Sequence, residues 1–530
     1  MKRLLLLSFL LWQFTAVAQE NIHLHLDKSF YVLGETIWFS AQLQAATPTA
    51  KKANILRIDL IDSDGIARQT EQFSIENGRV QGSIDISLDW SDGWYTFHAY
   101  TVWIPQPTIK NSTRIDIPIY NDFKEYTFLA NETQTPSNNA DNITISTNKK
   151  NYKRGEEISL DISTINSFKA AWVSVTVVPS ETVSQSEQIS QVFSTTNAQM
   201  PEEKPFFYGH LINPQSHPLG VGGHFTKDNQ LQWTTANDDG VFMLENRLEV
   251  EQASQLFGLF NNQNEIYITP IAVQPIDFLK TIKSYKKEKV LPFNTIIKEY
   301  LRKSRLRKKY GALFNNPKSL LIKKEEKENN YFRPDATYRV ADYANMTSLE
   351  EFLREVIPFI KIKNRGGAPN IRMFNEEKVF TTENPFYLID NWLTDDQTLA
   401  LNIPINDIEV VDLFRETQTL KEQFGVLGKY GIIAIRTKQK KYSPDLQKQS
   451  NVVKTSGVST PKSFTTSNFS YDKLPDFRST IFWNPALQLT AKESHFSFYH
   501  SDDLGDFSII INGLAEDGDI VKGRVSYQVK

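Results

Sequence analysis

One signature occurs twice in the first third of the chain. KSFYVLGETIWFS begins at Lys28 and KKNYKRGEEISLD at Lys149. Lys28, Tyr31, Gly34, Glu35 and Ile37 recur as Lys149, Tyr152, Gly155, Glu156 and Ile158 at a constant offset. In each copy the glycine sits in a turn that favours positive φ. Alternating apolar and polar residues follow, with Ile37, Phe39, Ala41 and Leu43 in one copy and Ile158, Leu160 and Ile162 in the other. Such a segment is a half-buried strand, which needs a second sheet against its apolar side. Written twice, it predicts two β-sandwiches of one type.

A chain of 530 residues is long enough for several domains. Its first residues have a basic start at Lys2 and Arg3, an apolar run from Leu4 to Phe14, and small residues at Ala16 and Ala18. They predict a secretory signal peptide over 1–18, cut after Ala18, and hence an exported, soluble mature protein. Without Lys2 and Arg3, 57 of the 59 basic residues remain against 62 acidic ones, which argues against a nucleic-acid partner. There is no cysteine, so disulfides are excluded, as is a lipid anchor on a cleavage-site thiol. Stability must come from apolar burial.

The first sandwich is expected over 20–125. Ile22, Leu24 and Leu26 alternate with His23, His25 and Asp27, Ile55 to Ile61 form another apolar strand, and Val80, Ile84, Ile86 and Leu88 follow. Asp92-Gly93 turns into the aromatic strand of Trp94, Tyr95, Phe97 and Tyr100. Asn131 to Asn142 reads as a linker. The second copy opens at Ile143, but its closing half appears only near the end of the chain. There Phe496, Phe498 and Tyr499 precede Asp502-Asp503-Leu504-Gly505 and then Phe507, Ile509 and Ile511. The second sandwich is therefore predicted to be split, 143–180 plus 476–530, with about 300 residues inserted between its halves.

Within the insertion, 204–275 has the strands and tight turns of a small β-sandwich. From Lys280 to Lys309 there are twelve Lys or Arg against two Glu, predicting a basic helical connector over 280–330 with its helix closed at Gly311. Over 335–440, Thr347 and Glu350 form a capping box for a helix carrying Leu349, Phe352, Leu353, Val356 and Ile357 on one face, before Pro358. Strands around Ile360, Ile371, Tyr387, Ile408 and Ile432 make this unit α+β. The Ser/Thr/Lys-rich stretch 441–475 reads as a linker. The fold class expected is mainly β, with tandem sandwiches, a further small sandwich and a small α+β domain.

Four stretches resemble known modules. KSFYVLGETIWFSAQL resembles the opening of a macroglobulin-like domain of exported Bacteroidota proteins, and FRSTIFWNP with FSFYHSDDLGDFSIIINGL resembles the closing half of such a domain. YGHLINPQSHPLGVGG with TTANDDGVFML resembles a carboxypeptidase-regulatory-like domain. PFYLIDN, NDIEVVDLF and FGVLGKYGIIAIRTK resemble, in that order, the plug domain of TonB-dependent outer-membrane receptors. These resemblances imply tandem immunoglobulin-like (macroglobulin-type) sandwiches, a transthyretin-like sandwich and a small α+β plug-like domain. Two departures matter. Asn391 stands where that family usually has Gly, and fewer than 100 residues follow Lys438, too few for a barrel. The cysteine of a macroglobulin thioester is also missing.

No pattern marks an enzyme. His23, His25 and Asp27 alternate onto one strand face at a spacing that suits a metal, but an exposed polar face is the plainer reading. His210, His217 and His224 fall irregularly in loops. There is no HExxH, no nucleophile elbow and no P-loop. Ser284 and Lys287 match a Ser-x-x-Lys pattern without its companions, and Asp395 and Asp396 read as solvated loop carboxylates. No catalytic, cofactor-binding or metal residue is assigned. The basic run is the one candidate binding surface. Lys298, Arg302, Arg305 and Lys309 recur at helical spacing, Arg307 adds a further charge, and the partner would be anionic lipid head groups or an acidic protein. The resemblances imply a non-enzymatic periplasmic scaffold at the outer membrane, docking to a barrel protein or complex. The alternative is a carrier or sensor that holds a small ligand or peptide in the plug-like domain.

Overall fold

The computed structural model describes residues 20–45, 53–104, 108–128, 143–164, 170–183, 189–192, 200–212, 220–225, 230–237, 239–245, 252–259, 267–270, 290–314, 332–343, 345–363, 369–440, 442, 452–455, 457–464, 476, 478–490 and 494–530. Eight strands arise first: β1 (Glu20–Leu26), β2 (Tyr31–Val32), β3 (Thr36–Ala45), β4 (Ile55–Ile61), β5 (Ala67–Ser74), β6 (Arg79–Asp85), β7 (Gly93–Ile104) and β8 (Thr108–Tyr120). They fold into two sheets, β1-β3-β6 and β8-β7-β4-β5, and the short β2 pairs in parallel with β8. The alternating apolar residues of both sheets meet in one core around Ile37, Phe39, Leu56, Ile58, Phe73, Phe97 and Ile117. Leu88 lies past the end of β6 and is 64 % exposed, so it is not part of the strand face that its spacing suggests.

The chain then lays down β9 (Ile143–Thr147), β10 (Asn151–Tyr152), β11 (Glu157–Thr164) and β12 (Ala170–Pro179). It next returns to the first sandwich, where β13 (Ile189–Val192) extends the sheet beyond β8 and β14 (Met200–Pro201) pairs with β7. Sequence periodicity gave no sign of this return. Glu202, just after β14, is fully buried and forms a two-pronged ion pair with Arg57 of β4, at 2.6 and 3.1 Å.

Residues 205–272 and 321–457 form a separate unit. Its first part consists of β15 (Phe206–Ile212), β16 (Gly220–Phe225), β17 (Gln230–Thr235), β18 (Val241–Glu245), β19 (Gln252–Leu259) and β20 (Tyr267–Pro270). These strands make two small sheets around Phe207, Leu211, Val221, Phe242, Leu244 and Leu256. A basic helix, α1 (Thr295–Phe314), comes next and belongs to the sandwich unit. It runs on past Gly311, which therefore does not close it.

The α+β part contains β21 (Ala336–Arg339), α2 (Leu349–Glu355), β22 (Ile360–Lys363), β23 (Asn370–Met373), β24 (Phe386–Ile389), β25 (Trp392–Thr394), α3 (Gln397–Leu401), β26 (Ile408–Phe414), α4 (Thr417–Phe424) and β27 (Ile432–Thr437). The central sheet runs β21-β26-β27-β24-β25, with β24 parallel to β27. Helix α2 starts one residue later than its capping box suggests. Ser348 accepts from the Glu351 N–H, and the Glu351 carboxylate reaches back to the Thr347 N–H. In the two-residue turn between β24 and β25, Asp390 and Asn391 both take positive φ, 46° and 72°. Asn tolerates the left-handed conformation a glycine would adopt there, so the turn survives the departure at Asn391. Gln255 is buried in this unit and binds the Leu393 backbone on both sides, joining β19 to β25. Part of the expected linker, β28 (Val452–Thr455), pairs with β19.

The last strands, β29 (Phe482–Thr490), β30 (Ser494–Tyr499), β31 (Gly505–Ala515) and β32 (Ile520–Val529), pair with strands laid down some three hundred residues earlier. β30 pairs with β11, and β12 lies between β29 and β31. Ile158, Leu160, Val173, Val175, Ile509, Ile511 and Tyr527 share one core. The described residues are thus mainly β, with α-helices confined to α1 and the α+β part. Val458 to Phe464 also leave the linker reading behind, because Val458 bridges to Gln72, Lys462 pairs with Asp85, and Phe464 meets Trp38 edge-on at 5.3 Å.

Candidate functional site

The repeated signature builds two equivalent corners. At the first, Tyr31 donates to Asp27 Oδ1 at 2.7 Å and accepts from the Lys28 N–H, while Asp27 also accepts from the Trp38 N–H. At the second, Tyr152 donates to Asn148 Oδ1 at 2.6 Å and accepts from the Lys149 N–H, while Asn148 accepts from the Ser159 N–H. Lys28 pairs with Glu35 and Lys149 with Glu156, and each glutamate also takes a backbone N–H, from Val32 and Lys153 respectively. Gly34 and Gly155 both hold positive φ, and each tyrosine strand runs parallel to a long strand of its own sandwich, β2 to β8 and β10 to β32.

Among the described residues, only the first corner is covered. Phe30 and Val32 pack with Tyr120 and with Phe293, Ile297, Tyr300 and Leu301 on or beside α1. Tyr300 donates to Glu35 Oε1 at 2.9 Å, and Lys28 Nζ donates to Ser479 Oγ at 3.1 Å. Asp27 accepts from Thr480 Oγ1. Arg307 completes the cluster, lying 3.7 Å from Glu35 and 3.5 Å from Asp503 with its side chain only 12 % exposed. On the same side, Ser304 and Lys308 donate to the buried Asp122 at 3.0 and 2.7 Å. One helix is thereby fastened to both sandwiches by charge as well as by apolar contact. Burial is the largest single influence on Lys28 and Glu35 and opposes their ionisation. The surrounding charges and hydrogen bonds together outweigh it, Glu35 and Asp27 for Lys28 and Lys28, Arg307 and Tyr300 for Glu35, so Lys28 is raised and Glu35 lowered. Burial pushes Asp27 up, and it pushes the Tyr300 phenol up to about 12.

The five basic residues singled out from the sequence divide. Lys298, Arg302, Arg305 and Lys309 are exposed along α1, as their spacing implies. Arg302 is tied to Glu299 in the same helix, and Lys298 sits 5.5 Å over the Phe128 ring. Arg307 instead faces inward, because it shares the helix side of Tyr300 and Ser304. Residues 280–289, including Ser284 and Lys287, lie outside the described residues.

His23, His25 and Asp27 do not form an exposed polar face. Three of the second sandwich's strands cover it. His23 meets Asn512 Oδ1 at 2.9 Å, His25 Nδ1 meets Ser174 Oγ at 2.6 Å, and Gln42 donates to the Trp172 carbonyl while accepting from the Leu514 N–H. Burial holds His23 down and takes His25 down to about 3. Among the described residues no group of three or more His, Asp or Glu side chains is placed to hold a metal. His210 and His224 lie on strands, β15 and β16, and not in loops; His210 is half-buried, and His217 lies outside the described residues. Asp396 caps α3 through the Leu399 N–H, and Asp395 is exposed beside it.

No family model matches the sequence, and no curated protein matches it. Solved structures give slight likenesses. Escherichia coli alpha-2-macroglobulin activated by porcine elastase is 8 % identical with a TM-score of 0.26, covering 96 % of this chain and 44 % of its own. Salmonella alpha-2-macroglobulin reacted with methylamine is 8 % identical with a TM-score of 0.25, covering 98 % and 40 %. A DUF4785 family protein from Legionella pneumophila is 9 % identical with a TM-score of 0.16, covering 49 % and 57 %. The chain spans less than half the length of the macroglobulins it resembles. The architecture above therefore stands on strand pairing, not on these likenesses.

Proposed function

We propose that this chain is a non-enzymatic periplasmic adaptor, built of macroglobulin-like sandwiches carrying a regulatory-like and a plug-like domain. It docks to an outer-membrane barrel protein or complex, such as a TonB-dependent transporter or an assembly or export machine. The observation that carries the reading is the fate of the buried charges. Lys28, Glu35, Arg307, Asp503 and Asp122 are committed to fixing α1 and two sandwiches to one another. That is the economy of a rigid display surface, not of a reaction centre, whose titratable groups face a cleft. No helix among the described residues is long and apolar enough to cross a membrane. Affinity capture of the tagged chain from detergent-solubilised envelope, read by mass spectrometry, should recover a barrel protein in stable amount. Recovery of the chain alone would refute the adaptor.

A second reading is favoured by one feature of the other unit. Met373, Thr417, Leu420, Arg415, Lys421 and Lys429 line a cavity of about 220 Å³. That is smaller than the roughly 300 Å³ at which drug-sized pockets begin, so its occupant would be a small anion with an apolar end. Native mass spectrometry of the purified chain would reveal a carried molecule if the protein is a carrier.

A further inference from the structure

The outward side of α1 carries more than charge. Lys298, Arg302, Arg305 and Lys309 form one row along the helix, spaced so that each lies a turn beyond the last. Beside that row, the segment 121–128 holds up two phenylalanines, Phe123 at 74 % and Phe128 at 53 % exposure. The Lys308 ammonium stands 5.7 Å over the Phe123 ring and the Lys298 ammonium 5.5 Å over that of Phe128. On the helix itself Leu306, one turn beyond Arg302, is 40 % exposed. A solubilising face has no use for three large apolar side chains beside its cations, since exposed apolar groups set together mark an interaction surface.

From this arrangement we infer that the outer side of α1, with Phe123 and Phe128, seats on an anionic lipid surface. Three cations of the row, Lys298, Arg305 and Lys309, have no carboxylate partner among the described ion pairs, whereas Arg302 is held by Glu299 and Lys308 by Asp122. The nearby acid of the 121–128 segment, Glu125, is exposed and leaves the surface cationic in sum. Lysine and arginine heads meet lipid phosphates, and rings beside them settle at head-group depth. An acidic protein would explain the cations but not the two exposed rings beside the ammonium groups of Lys298 and Lys308. The helix is suited to this use because its other side is already spent. Ile297, Tyr300, Leu301 and Ser304 are buried against the first sandwich, so attachment to lipid needs no refolding and orients the whole unit. The surface is independent of the barrel partner proposed above.

The test is co-sedimentation of the full mature chain with vesicles of phosphatidylcholine, with and without phosphatidylglycerol. Binding should appear only with phosphatidylglycerol and should fall in high salt. Each exposed cation contributes about fivefold to partitioning, so the triple variant K298E/R305E/K309E should lose about a hundredfold or more. The variant F123S/F128S should bind more weakly at every salt concentration, including those at which the charges are screened. All five positions are exposed, and unchanged thermal unfolding of both variants would exclude a folding defect. The inference is overturned if wild-type protein ignores phosphatidylglycerol, or if the triple variant binds as well as wild type. It is equally overturned if the row is instead occupied by an acidic protein captured without lipid.

Discussion

Tyr31 and Tyr152 stand at the same place in two sister sandwiches, with the same hydrogen bonds and the same Lys–Glu pair, yet their surroundings differ. Lys28 has no exposed side-chain surface, while the Lys149 side chain is 55 % exposed. The cause lies in the residues between the shared ones. Phe30, Val32 and Leu33 of the first copy are replaced by Asn151, Lys153 and Arg154 in the second. Apolar residues there leave the first corner needing a cover, which α1 supplies. Polar ones leave the second corner content with water. The shared residues specify the turn, and the variable ones specify what docks on it.

The largest effect should come from rewriting the first corner as the second. Phe30→Asn with Val32→Lys removes two buried apolar side chains and places an ammonium under α1. The cost is roughly 5 kcal/mol or more. Amide hydrogen exchange over 295–309 should lose its protection, while β9 to β12 and β29 to β32 keep theirs. Unchanged protection of the helix would mean that something other than this apolar seat holds it.

Glu35→Ala sharpens the same contrast. It leaves Lys28 and Arg307 buried without their shared carboxylate, a loss of about 3–5 kcal/mol. Glu156→Ala breaks an exposed pair, and its denaturation midpoint should not move measurably. Equal shifts in the two variants would show that burial is not what distinguishes the corners.

Much of this architecture is legible in the residues. The alternation of Ile158, Leu160 and Ile162 marks β11, and the aromatic strand before Asp502-Asp503-Leu504-Gly505 marks β30, its partner from the far end of the chain. What is covered is harder to read than what is folded. His23, His25 and Asp27 alternate like a wet strand face because a polar interface between two sandwiches has the same period as one facing solvent. The twelve cations between Lys280 and Lys309 look uniform, although the stripe of Ile297, Tyr300, Leu301 and Ser304 turns Arg307 and Lys308 toward that same side. Val452–Thr455 is too short and too polar to announce an edge strand, because its role depends on the waiting edge of β19.

The smallest effect tests that polar interface by pH. His25 is neutral inside the protein, held down to about 3 first by burial and then by the charges of His23 and Lys522. An unfolded histidine takes its proton near pH 6.5. Below that pH the unfolded chain binds a proton the folded chain refuses, so stability is full above about pH 6.5 and declines as pH falls toward 3. The slope is about 1.4 kcal/mol per pH unit for one such histidine, or about 2 kcal/mol between pH 7 and 5. His98 is also buried and held down to about 3, so it adds a slope of its own. The measurement is therefore the difference between wild type and His25→Gln in urea midpoints over this range, and the variant should be flatter. In the second sandwich the same offset from the signature gives Ser146, which is exposed on β9. Ser146→His should add no slope, since a histidine in water titrates alike in both states. If it steepened the curve as His25 does, the strand face rather than its cover would be setting the proton affinity.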